Sequence, residues 1–562
     1  MSDSPDSKLC DALLQRYAQG KTTRANWDGA WSDVATFVLP RKRDTVAQPT
    51  NGIINGPARS QQRFDVTATD ACRTMAAGLL SSLVPAGELW FRYSPRPGAS
   101  NAVSKWLDDC THRAATALTA SNFYLAVHEC LIDLSGFSIE GMFVEEGLAF
   151  EGKGDLLNFT QVPVGTFVIE EDAEQRVDTF FRTFFWTARQ AVQKWGVNAL
   201  GKEMREAFES KDPARQAQKF ELVQAIFPRR PGDYRDGMVA ADRRPVASVY
   251  IDVLGQHILE NGGYYEMPVA VARLLREDNM IYGTGPSDEM MAEIRMLNMM
   301  RRDFLLAMEL QVNPPWLGPN GNSWRPDNRP GGIIYWDTSN EHNKPERLRD
   351  TARLDFIDPA ITDSRQIIRS GFFNDMFRLL SNPDVMKRDK TAYEVAQMVQ
   401  EKLVLFHPMF ARITRELLTP VLTRIFNVLL RRGAFLPPPV VDGEPLDYEI
   451  NYVSKLALAI KVAQTNSVAL MMQMLAGMVQ FDPASAHVIN WQKAAVGIAR
   501  NHGVPAEWLR DEDEIAEIVR QQQQAAQMAQ AEQAASAANQ LAGAAQKLGP
   551  KGQDAAVKML GG

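Results

Sequence analysis

The residues that could carry chemistry in this chain fall short of every catalytic pattern they suggest. Gly20-Lys21-Thr22 has the ending of a phosphate-binding loop, in which backbone N–H groups and a lysine cradle phosphates. The glycine required five positions earlier is Gln15. Gly283-Thr284-Gly285 opens like a dinucleotide loop, yet Asp288 stands where the third glycine belongs, and a flexible lead into a helix is the simpler role. Gly136-Phe137-Ser138-Ile139-Glu140-Gly141 is one residue too long for a nucleophile elbow. The seven histidines are scattered without metal-ligand spacing, and the four cysteines (Cys10, Cys72, Cys110, Cys130) contain no CxxC. Carboxylates are plentiful, but none sits in a recognisable acid–base context. No catalytic residue, cofactor or metal ligand is expected, and the chain reads as a protein that is not an enzyme.

The remaining chemistry is that of charge and contact. Lys387, Arg388 and Lys390 cluster between Pro383 and Thr391, partly offset by Asp384 and Asp389. Such a cluster either meets phosphate through a weak, screened field or is a solvated turn. Trp316, Trp324 and Trp336 share a Gly/Pro-rich insert with Arg325 and Arg329. They form either a small core or the aromatic–arginine mix of a protein interface. Six methionines between Met290 and Met308 give one helix a soft, adaptable surface suited to packing.

These groups must be positioned by a chain of 562 residues, long enough for two to four well-buried domains. Its net charge of −7 leaves no basic footprint for tight, whole-surface DNA binding, so any nucleic-acid contact must be local or loose. The cysteines read as reduced thiols, most of them buried. Met1 to Lys8 is polar and acidic, unlike a signal peptide, and the longest apolar runs fall far short of a membrane span. The expected setting is a cytoplasm, or a particle assembled there.

Along the chain, Leu9–Leu39 reads as a helix, with Trp27, Trp31, Val34 and Val38 on one face and Pro40 ending it. A loop follows, then a helix from Thr67 to Pro85, capped by Asp65 or Thr67, and a helical block from Ser104 to Leu134. Between Ile139 and Trp186 the period changes to two, with strands at 161–164, 167–169 and 177–181. Helix returns over Thr187–Glu209, and strands are expected at Val246–Leu254 and Gly263–Val269. The first half is therefore α+β, within a chain that is mainly helical.

Tyr282 to Leu380 follows a distinctive plan. A helix runs from Gly285-Pro286-Ser287-Asp288 to Gln311, an irregular insert follows, and a second helix runs from Asp358-Pro359 to Ser381 with Asp358 as its N-cap. Such a hairpin cannot cover its own apolar faces and asks for neighbours. Thr391 and Glu394 then form a capping box for a long helix kinked or broken at Pro408 and Pro420. From Gln521 to Leu548, 20 of 28 residues are Ala or Gln, a helix-prone tail with little to fill a core.

Several short motifs follow one another in order along the chain. They are Trp27-Asp28-x-x-Trp31 with Leu39-Pro40, Phe64-Asp65-x-Thr67-Ala68, and Leu83-x-Pro85-x-Gly87-x-x-Trp90-Phe91. Then come Tyr282-Gly283-x-Gly285-Pro286 with Leu297-Asn298, Phe372-Phe373-x-Asp375, and Thr391-Ala392-x-Glu394-Val395. In this order, over Trp27 to Leu458, the chain resembles the portal (head-to-tail connector) proteins of short-tailed, T7-like bacteriophages.

That resemblance implies a phage portal fold with wing, two-helix stem, clip and crown, assembled as a ring that is a dodecamer in the family. The wing would cover residues 1–286, the stem 287–311 and 358–381, and the clip 312–357. A channel loop would span 382–390. Residues 391–510 would form the long kinked helix, the wing return and the crown, and 511–562 a tail that joins the crown or a barrel, or stays flexible. The ring would be a conduit for packaging and ejection of double-stranded DNA at one capsid vertex of the virion. Its clip would dock the terminase large subunit and later the tail adaptor. Major capsid, scaffolding and internal core proteins are further implied partners.

In this scheme Met290, Ile294, Leu297, Phe304, Met308, Phe372, Phe373 and Phe377 would pack the stem between copies. Trp316, Trp324, Arg325, Arg329 and Trp336 would form the clip interface, and Lys387, Arg388 and Lys390 would face DNA. Duplex DNA carries about one charge per 1.7 Å of axis, so a strongly basic bore would stall transport, and a net acidic chain with few local cations suits the task. The alternative is another virion structural protein, a tail adaptor or an ejected internal protein, which would leave the helix–clip–helix plan unexplained.

Overall fold

The computed structural model describes residues 5–42, 46, 63–96, 101–147, 156–235, 237, 239–277, 279–312, 316–317, 346–347, 357–381, 406–439, 448–453 and 512–547. The chain divides into two compact units. The first comprises Met1–Tyr93, Asp109–Pro437 and Glu449–Ala463; the second comprises Ser94–Asp108, Pro438–Tyr448 and Gln464–Gly562.

In the first unit, helix α1 (Pro5–Phe37) stops ahead of Pro40, as its sequence demands. Its first half lays Cys10, Leu13 and Tyr17 on a sheet, and its second half buries Trp31, Val34 and Val38. Helix α2 (Thr67–Leu83) has Val66 at its cap position, but Asp65 supplies the polar contact, its Oδ1 accepting from the Thr67 N–H at 2.8 Å. The block expected over Ser104–Leu134 is two helices, α3 (Asn101–Ala120, of which residues 101–108 belong to the second unit) and α4 (Phe123–Phe137). The break falls at Ser121-Asn122, where the Asn122 side-chain amide donates to the Phe159 carbonyl (2.7 Å) and accepts from the Phe159 N–H (2.9 Å).

Strands β1 (Phe91–Pro95), β2 (Ile139–Glu146), β3 (Leu157–Val162), β4 (Phe167–Glu171) and β5 (Val177–Thr187) follow the period-two region. Then come β6 (Lys219–Pro228), β7 (Val246–Asp252), β8 (His257–Tyr264) and β9 (Val269–Arg273). Five of them form an antiparallel sheet in the order β4-β5-β6-β7-β8, and three more the order β3-β2-β9. The expected strand at Gly263–Val269 is instead the end of β8 and the start of β9, because Pro268 cannot donate to a ladder.

Strand β6 carries no alternation in the sequence, and the fold explains why. Val223 and Ala225 face α1, whereas Phe220 and Leu222 join Ala188, Ala191 and Met204 on the opposite side. A strand covered on both faces reads as a continuous apolar run. The helix expected over Thr187–Glu209 is two, α5 (Ala188–Trp195) and α6 (Lys202–Glu209), parted at Gly196 (φ 80°). A Thr187–Gln190 capping box starts α5.

A helical turn at Pro286–Glu289 leads into α7 (Met291–Val312). The returning helix is not continuous: α8 (Ile357–Gly371) and α9 (Asn374–Ser381) are separated at Phe373, whose φ is 56°. The helix also starts one residue ahead of Asp358, so Asp358 lies inside its first turn rather than at the cap. Residues 406–413 are helical and continue through a π-turn (Thr414–Leu418) into α10 (Thr419–Arg431). The π-turn ahead of Pro420 absorbs the missing N–H without ending the element. The capping box Thr391/Glu394 lies outside the described residues. Between α7 and α8 the described chain is a strand pair, β10 (Trp316–Leu317) with β11 (Glu346–Arg347). Strand β12 (Tyr448–Tyr452) follows later in the chain, and the Val453 N–H donates to the Trp90 carbonyl (2.9 Å).

In the second unit, α11 (Glu512–Lys547) is a 36-residue helix. Its described side chains are exposed apart from Ile518, as expected where Ala and Gln sustain a helix without a core face.

Candidate functional site: the base and outer face of the helical hairpin

The motifs that lie far apart in sequence meet at the base of the α7/α8 pair. The Tyr282 ring is buried 5.1 Å from Trp27 and 5.3 Å from Trp31, centroid to centroid. The chain then passes so close to Ser138 that a Cβ on Gly283 would fall 2.3 Å from the Ser138 carbonyl oxygen. One on Gly285 would fall 2.6 Å from Ser138 Oγ, so side chains are excluded at both positions. Asp288 closes this turn by accepting from the Gly285 N–H and the Ser138 hydroxyl, each at 3.1 Å. Burial raises the Asp288 pKa above the usual carboxylate range.

Further contacts fasten both helices to the body. Asn298 Oδ1 accepts from the Phe64 N–H at 2.7 Å, Arg295 pairs with Asp33, and Arg365 donates to Asp65 Oδ2 at 2.7 and 3.1 Å. Asp65 is thus shared between the start of α2 and the returning helix. Despite its burial, the hydrogen bonds from Thr67 and Arg365 lower its pKa. Behind the base, the nearly fully buried Arg273 is held by Glu416 of the π-turn through three bonds of 2.9–3.1 Å, and by Glu171.

The residues expected to pack between copies separate into two groups. Ile294, Leu297, Phe372 and Phe377 are buried within the single chain, and Met290 lies against Gly371. These five spend their apolar surface on the fold of one subunit. Phe304 and Phe373 are half-buried, and Met308 is exposed. Met296 and Met299, two of the six methionines singled out by sequence, present apolar surface to solvent, and so do Leu305, Leu306, Leu310 and Val312, which were not singled out. Ile367 does the same on α8. The available signal was an excess of large apolar residues all round α7 past Arg301, more than one buried stripe requires. Trp316 lies in β10 opposite Arg347, whereas Trp324, Arg325, Arg329 and Trp336 lie outside the described residues, as do Lys387, Arg388 and Lys390.

All four cysteines are free and buried, and burial pushes the Cys72 thiol up to about 12. Among the described residues no cluster of His, Cys, Asp and Glu could hold a metal, and no helix is long and apolar enough to cross a membrane.

The sequence profile of the bacteriophage head to tail connecting protein family matches residues 10–509, and the chain belongs to that family, a structural rather than an enzymatic one. It is 28% identical over 561 residues to a probable portal protein of Bordetella phage BPP-1, covering 98% of this chain and 96% of that protein. It is 25% identical over 504 residues to the portal protein of Salmonella phage epsilon15, covering 88% of this chain and 87% of that one.

Proposed function

We propose that copies of this chain assemble through the hairpin into a ring at one capsid vertex, dodecameric and of the short-tailed T7-like pattern, through which double-stranded DNA enters and leaves. The observation that carries this reading is the uncovered apolar surface of α7, from Met296 to Val312. One chain buries Ile294 and Leu297 on the inner face of the helix and, among the described residues, leaves the outer face exposed. A closed ring of identical copies covers such a face in every subunit at once.

In this reading residues 287–311 (α7 and the turn before it) and 358–381 (α8 and α9) are the stem, and residues 312–357 are the clip that meets the terminase large subunit and then the tail adaptor. Residues 382–390 line the channel. Major capsid, scaffolding and internal core proteins are further partners in this reading. Negative-stain microscopy and size-exclusion chromatography of the purified full chain test the proposal. Rings with a central hole are expected; monomers or rods at micromolar concentration would overturn it.

A further inference from the structure

A cleft of about 780 Å³ in the first unit, remote in the fold from the hairpin, is lined by the end of β2, helix α5, the end of β8 and the end of α10. Its cations are of two kinds. Arg431 pairs with Glu266 and Arg432 with Glu146 at 3.2 Å, so both are ion-paired, although Glu266 is shared with Arg424 and Glu146 is shared between Arg431 and Arg432. Lys194 and Arg244 have no carboxylate within ion-pair distance among the described residues.

Both unpaired cations are nevertheless held in place. The Lys194 ammonium lies 4.0 Å from the Tyr250 ring centroid, 5.1 Å from Trp195 and 5.6 Å from Trp186. Trp195 is itself anchored, its Nε1 donating to Glu260 at 2.7 Å. The Arg244 guanidinium lies 4.6 Å from the Tyr265 centroid and donates from Nη1 to the Gly263 carbonyl at 3.1 Å. Its Nε is buried without a partner among the described residues. Aromatic faces stabilise a cation but leave N–H donors unused, so both groups are pre-oriented with hydrogen-bonding capacity to spare. Against them the cleft sets one lining carboxylate without an ion pair among the described residues, Glu145.

We propose that this cleft is an oxyanion-binding site, taking a compact polyvalent phosphate or carboxylate between Lys194 and Arg244. Its volume falls in the range of small-ligand sites. Charge-assisted hydrogen bonds from two fixed cations supply affinity, and Glu145 moderates it. The ring reading does not depend on this site.

The test is isothermal titration calorimetry on the full chain at physiological ionic strength, with sodium tripolyphosphate and with citrate as probes. Wild type is expected to bind at least one; tripolyphosphate alone assigns a phosphate ligand and citrate alone a carboxylate. Lys194→Met, which keeps the aliphatic stem among the rings, and Arg244→Gln should each weaken binding about tenfold. Glu145→Gln should tighten it several-fold, a gain that lost structure cannot mimic. Arg176→Gln, on an exposed turn, should bind as wild type. Absence of heat with both probes, unchanged affinity in Lys194→Met and Arg244→Gln, or unchanged affinity in Glu145→Gln would each overturn the proposal. If either cation variant melts early, Lys194→Arg and Arg244→Lys must bind near wild type for it to stand.

Discussion

The Phe377 ring occupies the space that a side chain on Gly78 would need: a Cβ there would lie 2.2 Å from Phe377 Cγ and 2.8 Å from Phe377 Cβ. Both residues are buried, one in α2 and the other in α9. The returning helix therefore sits directly on the α2 backbone. Phe373 makes this seat possible, because its left-handed turn redirects the chain between α8 and α9.

Gly78→Ala should be costly, because the displaced atoms include the near end of a buried ring rather than a flexible tip. Overpacking of this kind costs about 1–3 kcal/mol. The expected result is a lower midpoint in chemical denaturation, partly recovered by adding Phe377→Leu. A midpoint equal to wild type would show that α9 moves away from α2 freely.

The two groups of stem residues should respond differently to charge. Leu306→Asp adds a carboxylate to an exposed position, so the subunit should keep its fold and lose ring assembly. Leu297→Asp buries an unpaired carboxylate and should unfold the hairpin base. Phe304→Asp, at a half-buried position, should resemble Leu306→Asp in chromatography. Circular dichroism with size-exclusion chromatography separates these outcomes; normal ring yield for Leu306→Asp would remove α7 from the interface.

Glu140 gives the fold a pH dependence. It is fully buried beside Cys130 and Asp133, and burial pushes its carboxyl up to about 8 from an ordinary 4.5. Between those values the folded state holds a proton that the unfolded state has released, so stability should fall as pH rises through that window. Asp133, raised by its own burial to about 6, adds the same trend at the lower end. Glu140→Gln should flatten the profile of melting temperature between pH 5 and 8. An identical slope in the variant would place the titration elsewhere.

Replacing Lys387, Arg388 and Lys390 together by Ala should leave rings intact and change DNA passage or retention, with the difference shrinking at high salt. In vitro packaging into purified heads across a salt series measures this. Wild-type behaviour at every salt concentration would return the segment to an ordinary solvated turn.

Local chemistry made part of this protein legible. Helix α1 follows from apolar residues recurring at spacings of three and four, and its end from Pro40. The helix–insert–helix plan follows from Asp288, Pro286 and Pro359 at helix starts and from Pro and Gly between them. The ordered motifs were enough for the family, because each depends only on residues within a turn or two of one another.

Tertiary contact decided the rest. Strand β6 was hidden because both of its faces are covered, which erases the alternation that marks a half-buried strand. The break at Phe373 depends on Gly78, nearly three hundred positions away, leaving room for Phe377. On α7, the sequence marks apolar residues without saying which are spent inside. Ile294 and Leu297 are covered because Phe64 and Asp65 bring α2 against them, whereas Leu306 and Val312 stay exposed among the described residues. Burial is set by what the fold brings alongside a residue, and composition along one helix cannot encode that.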